Sequence, residues 1–124
     1  MPKGYTGWKL PEPERARLLA RFSPAYATLK AEHVTHSFSV SADHPRPNET
    51  QGRVVGIADD GQGVQALVVE IGGTTDRPDG STFHITWSLG PGRTAKESND
   101  VIARHGWTPV EPVPVVLEPR FFRL

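Results

Sequence analysis

A six-residue pattern occurs twice in this chain and calls for two β-strands of the same construction. The copies are His33-Val34-Thr35-His36-Ser37-Phe38 and His84-Ile85-Thr86-Trp87-Ser88-Leu89. Each reads histidine, β-branched aliphatic, threonine, ring, serine, large apolar residue. β-Branched and aromatic residues suit strands, and successive side chains of a strand point to opposite faces. His33, Thr35 and Ser37 are therefore expected on one face, and His84, Thr86 and Ser88 on another. Val34, Phe38, Ile85 and Leu89 are expected to point into a core. With five histidines and ten threonines in 124 residues, chance gives about 0.4 placements of Thr two residues after His. Two placements that also share three further positions call for a common cause.

The chain has the length of one domain, residues 1–124. Its 14 basic and 14 acidic residues cancel, which argues against a protein that grips duplex DNA through a basic surface. A small nucleotide or an RNA terminus stays compatible with that balance. No cysteine is present, so a disulfide framework and a thiolate metal site are both excluded. The opening MPKGYTGWKL has no apolar stretch of the signal-peptide kind, and no run approaches a membrane span. A cytoplasmic location with no membrane partner is expected.

Twelve prolines and twelve glycines punctuate the chain into short elements. A first strand is expected over 4–10. Pro11-Glu12-Pro13-Glu14 then opens a helix that Ser23-Pro24 closes, with Leu18, Leu19 and Phe22 inward and Arg15, Arg17 and Arg21 on or near the solvent side. The first histidine strand spans about 30–40. A hairpin follows over 51–59 and 64–71, turning at Asp60-Gly61-Gln62-Gly63. Residues 72–80 read as a turn region and 81–89 as the second histidine strand. Thr94-Ala95-Lys96-Glu97 has capping-box spacing for a helix over 95–105 that stops at Gly106. The prolines at 112, 114 and 119 place a last strand, over 113–118, at a sheet edge. The expected fold is α+β: an antiparallel sheet in two pseudo-symmetric halves, with outer helices and a central cleft.

The paired His-x-Thr motifs, His33-Val34-Thr35 and His84-Ile85-Thr86, resemble those of the two-histidine (2H) phosphoesterase superfamily, which includes RNA-ligase-like proteins and cyclic nucleotide phosphodiesterases. The layout is similar as well: opening strand, helix, first motif, hairpin, second motif, second helix. His36 stands where that family usually has an apolar residue, and the chain is shorter than typical members. The resemblance implies a metal-independent phosphodiesterase without a cofactor. His33 and His84 would serve as general acid and base, and Thr35 and Thr86 would hold the non-bridging phosphate oxygens. Imidazole titrates near neutral pH and suits both proton roles. The implied substrates are cyclic phosphates or short phosphodiesters of nucleotides or RNA ends, with 2′,3′-cyclic phosphate or 2′–5′ linkages.

Further binding candidates follow from position. Ser37 and Ser88 lie one step further along each strand. Lys96, Ser98 and Asn99 lie in the first turn of the second helix, where free amides favour anions. Tyr5 and Trp8 are candidates for stacking a base, although core packing of both is the plainer reading. Trp87 is expected in the core. His33 and His36 have His-x-x-His spacing, but on a strand their rings fall on opposite faces, which disfavours a shared metal. Two other functions compete. One is a non-catalytic nucleotide- or RNA-binding module using the same cleft. The other is a docking protein that uses Phe121 and Phe122 of a Pro-rich tail.

Overall fold

The computed structural model describes residues 3–123. In chain order the elements are β1 (Lys3–Lys9), α1 (Glu12–Arg21), β2 (Thr28–Leu29), β3 (His33–Ser41), β4 (Gln51–Asp59), β5 (Val64–Glu70), β6 (His84–Leu89), α2 (Glu97–His105), β7 (Thr108–Val116) and β8 (Glu118–Arg123). This is an α+β fold. Its antiparallel sheet runs β7-β4-β5-β6-β3-β1-β8, with β2 paired to β6 beside that path. β7 and β8 lie at opposite edges of the sheet, yet Leu117 alone separates them in sequence. The sheet must therefore curl until its edges approach each other.

Two apolar clusters divide the interior. The larger gathers Leu18 and Phe22 around α1 with Trp8, Val34, Leu67, Phe83, Ile85, Trp87 and Leu117. The smaller packs Val101 and Ile102 of α2 against Ala58, Val64, Ala66, Val68 and Leu89. Pro11 and Pro13 suit the start of α1, where amides have no helical partner, and Glu12 and Glu14 favour its positive end. Glu14 also accepts the Val116 amide at 2.6 Å, satisfying a donor on edge strand β7. Arg15 departs from the expected solvent side: its Nε donates to the Ala31 carbonyl at 3.0 Å and clasps the approach to β3.

The β4–β5 hairpin turns at residues 60–63 as the sequence predicts, with Gly61 and Gly63 at φ 70° and 119°. α2 begins at Glu97, later than the capping-box spacing predicts. The Glu97 carboxylate accepts the Thr94 amide at 2.6 Å, but the Thr94 hydroxyl bonds that same carboxylate and caps no helix amide. The strand expected over 113–118 is longer and stops earlier, at Val116. It lies at an edge, as its prolines require. The Phe121–Phe122 segment is no free tail. It forms β8, paired along β1, with Phe122 opposite Tyr5.

Candidate functional site

β3 and β6 adjoin through one residue pair, Val34 opposite Ile85, both fully buried. Their neighbours in the repeat face the other side of the sheet. The Thr86 carbonyl accepts the Ala31 amide at 2.9 Å, so the strands change register between Ala31 and Val34, and His33 and Thr86 line one pocket beside that slip. His33 therefore meets the other strand's threonine, while His84 lies on the far side of Ile85 along β6.

The repeat carries a second feature that alternation alone does not reveal. On β3 the pairing with β1 jumps from Gly7–Thr35 to Thr6–Ser37, leaving His36 as an extra residue. On β6 the pairing with β5 jumps from Ala66–Thr86 to Gln65–Ser88, leaving Trp87 extra. Each strand is bulged at the ring residue that follows Thr. An extra residue reverses the alternation beyond it, so the two serines expected beside the histidines are turned away. Ser88 is fully buried; its hydroxyl donates to Gln65 Oε1 at 2.6 Å and accepts the Tyr26 amide at 3.1 Å. Ser37 pairs opposite buried Thr6 and hydrogen-bonds the His36 ring at 2.8 Å. Phe38 swings out of its expected core position onto the His33 side, 56% exposed, with its ring 5.9 Å from Tyr5.

His84 is 7% exposed, and its Nδ1 lies 2.8 Å from the Thr82 carbonyl oxygen. A carbonyl only accepts, so Nδ1 carries the proton and the neutral ring keeps its lone pair on Nε2. Burial pulls the pKa of His84 down from 6.5 to about 4; the Thr82 bond opposes this, and the charges of Arg77 and His33 add to it. His33 is half-buried, its ring centroid 5.1 Å from Tyr5 and 5.3 Å from Phe122. Burial lowers its pKa, Glu32 partly restores it, and Arg77 lowers it again.

Thr86 is tied to the start of α2. Its Oγ1 lies 2.9 Å from the Ser98 hydroxyl and 3.5 Å from the Ala95 carbonyl oxygen. Ser98 is fully buried, so it positions Thr86 and does not face solvent. Lys96 and Asn99 are exposed in the same turn. A pocket of about 110 Å³ joins Lys30, Glu32, His33, Thr86 and Ala95. A larger one, about 410 Å³, opens on the other side of His33 between Tyr5, Phe122, Lys9 and Arg15. His33 and Glu32 line both.

Tyr5 therefore borders the candidate site, whereas Trp8 does not. Trp8 is fully buried and donates its indole N–H to the Glu49 carbonyl at 2.8 Å, which removes it as a stacking surface. Trp87 is core, as expected, with its N–H on the Phe22 carbonyl at 2.9 Å. His36 packs edge-on to Trp8 at 5.6 Å, away from His33. Among the described residues no three His, Cys, Asp or Glu side chains gather as a metal site, and no helix is long and apolar enough to cross a membrane.

Sequence reasoning missed Arg77, and it gave Phe122 a docking role in place of its position beside His33. Phe122 sits in a Pro-flanked stretch with no strand periodicity, and only the doubled Phe121-Phe122 marks it. Arg77 lies in a turn region, where a charged residue reads as solvated. In fact it is 7% exposed, and its charge bears on His33, His36 and His84. Comparison of the chain with protein families, with curated proteins and with solved structures returned no match.

Proposed function

We propose that the sheet face around His33, Thr35, His84 and Thr86 is the active site, in a central cleft, of a metal-independent phosphodiesterase acting on cyclic phosphates or short phosphodiesters of nucleotides or RNA ends. The observation that carries this reading is that His33 and Thr86 line one pocket on strands joined at Val34–Ile85, with Thr35 and His84 flanking that same pair in sequence. Two proton carriers and two hydroxyl donors on one face are what in-line hydrolysis of a phosphodiester requires. The 2H resemblance of the two motifs supports the same reading and implies two pseudo-symmetric halves.

The environments divide the labour. His84, neutral with its lone pair on Nε2, is the general base. It takes a proton from water as the water oxygen bonds to phosphorus. His33, less deeply buried, is the general acid. It gives a proton to the ribose oxygen as the P–O bond breaks. Water supplies OH to phosphorus and H to the leaving oxygen, so the reaction is a hydrolysis. Thr35 and Thr86 hydrogen-bond the non-bridging oxygens, and Ser98 holds Thr86 in place. Tyr5 and Phe122 offer a surface for the base.

The test is hydrolysis of 2′,3′-cyclic nucleotides and 2′–5′-linked dinucleotides with EDTA present. Wild type should turn over at least one of them, and His33→Ala and His84→Ala should each lose about 10²–10⁴-fold. EDTA-sensitive activity restored by a divalent ion would overturn the metal-independent mechanism. The kcat/KM profile should be bell-shaped and acid-shifted. It should rise as His84 deprotonates near pH 4 and fall as His33 deprotonates below its ordinary 6.5. A flat profile from about pH 5 to 9 would remove the acid–base pair.

A second reading is a nucleotide- or RNA-binding module using the same cleft. The observation in its favour is the downward shift of both imidazoles, which favours two neutral rings at neutral pH. Nucleotide binding without turnover on the whole panel would select it.

A further inference from the structure

We propose that Arg77 is the anion anchor of this cleft: a buried guanidinium whose partner is the phosphoryl group of the ligand. The inference rests on the phosphoester reading of the site and adds to it the group that binds the charge.

Arg77 is held by the loop that leads into β6. Ile71 bridges Thr74, Asp76 bridges Thr82, the Arg77 amide donates to the Ser81 carbonyl at 2.8 Å, and the Gly80 amide donates to the Arg77 carbonyl at 2.9 Å. The same segment delivers His84, whose ring is fixed by the Thr82 carbonyl. The backbone is thus pinned on both sides of Arg77, and its side chain is 7% exposed.

A guanidinium brings five N–H donors and a permanent charge. Buried, it needs acceptors and a counter-charge. Arg77 has neither in full. Its Nε is buried without a hydrogen-bond partner among the described residues. The one carboxylate near it, Asp79, lies 3.8 Å from a terminal nitrogen, beyond hydrogen-bond length. Asp79 is itself 59% exposed and already accepts the Ser81 amide and hydroxyl. The Arg93 guanidinium shows the contrast, with Asp60 at 2.8 Å and Glu97 at 2.9 Å.

Asp79 offsets only part of the burial of Arg77. The Arg77 charge bears on His33, His84 and His36, which are neutral or positive. A desolvated cation among imidazoles leaves an electropositive site that an anion completes. The guanidinium fork matches two phosphate oxygens, which makes a phosphoryl group the fitting anion. Its arrival would also offset the positive field on the histidines and raise their pKa values. The bound ligand would then help to protonate the acid that cleaves it.

The experiment is calorimetric titration of the protein with inorganic phosphate and with adenosine 3′-monophosphate at neutral pH. Wild type is compared with Arg77→Gln, Arg77→Lys and His33→Ala. Arg77→Gln should weaken both ligands about tenfold or more. Arg77→Lys, which keeps charge but loses the fork, should fall between. Imidazole titration by NMR should show the His84 pKa rising in Arg77→Gln and rising in wild type when phosphate binds. Unchanged affinity in Arg77→Gln, with weakened binding in His33→Ala, would overturn the anchor and leave the phosphoester site standing. No binding of either ligand by wild type would overturn both. Should Arg77→Gln lose its native melting transition, Arg77→Lys decides: a folded variant with reduced affinity supports the anchor, and one with wild-type affinity overturns it.

Discussion

The two copies of the repeat share histidine, threonine and serine, yet they place their histidines in different surroundings. His84 is almost sealed from solvent and fixed by the Thr82 carbonyl. His33 lies at the junction of two pockets, flanked by the rings of Tyr5 and Phe122. Sequence identity at a motif sets which atoms are present. Burial and backbone partners set which proton each ring carries. A pair of equal histidines would make a poor acid–base couple, whereas an unequal pair suits opposite tasks.

The largest effect that can break this comparison comes from the leaving group. A 4-nitrophenyl phosphodiester departs without needing a proton. His33→Ala should recover most of its roughly 10²–10⁴-fold loss on that substrate, whereas His84→Ala should not. Recovery by His84→Ala alone would exchange the two roles. Equal recovery by both would erase the division.

The next effect is on folding. The His84 pKa is about 4 in the folded protein, against 6.5 for an unperturbed ring. Between those values the unfolded chain binds more protons, so stability rises with pH across the window. His84 contributes fully above about pH 6.5 and loses its contribution as pH falls through 4. The loss should approach about 3 kcal/mol by urea unfolding. His84→Gln should flatten that slope by more than His33→Gln does. Equal slopes would mean that the two rings are equally buried.

The smallest effect concerns Thr86, which has a hydroxyl partner that Thr35 lacks among the described residues. Ser98→Ala removes the 2.9 Å contact and should lower kcat about fivefold, in line with one lost hydrogen bond. KM and the imidazole pKa values should stay close to wild type. A variant with wild-type kcat would show that α2 does not position Thr86.

Much of the scaffold is legible in the sequence because it follows from local rules. Glycines at 61 and 63 mark the hairpin, prolines at 11 and 13 start α1, and prolines at 112 and 114 keep β7 at an edge. Alternation places His33 with Thr35 and His84 with Thr86, and stops there. It fails for Ser37, Phe38 and Ser88 because a bulge is a property of two paired strands. The partners that expose it, Thr6 with Gly7 and Gln65 with Ala66, are distant in sequence. The ring residue at the same place in both copies, His36 and Trp87, is the trace the bulges leave. Arg77 and the position of Phe122 beside His33 were out of reach for the same reason. Nothing local distinguishes an arginine in a turn that stays in water from one buried by a strand it has yet to meet.

The pairing of β8 along β1 has a consequence for when the site comes into being. Tyr5 and Phe122, which flank His33, come from opposite ends of the described chain. A nascent chain can present both histidines and both threonines long before Phe122 emerges. Without β8 against β1, the His33 ring lacks one of its walls. Contacts of such long range are slow to form. The walls around His33 are thus complete only once the two ends of the described chain have met in the sheet.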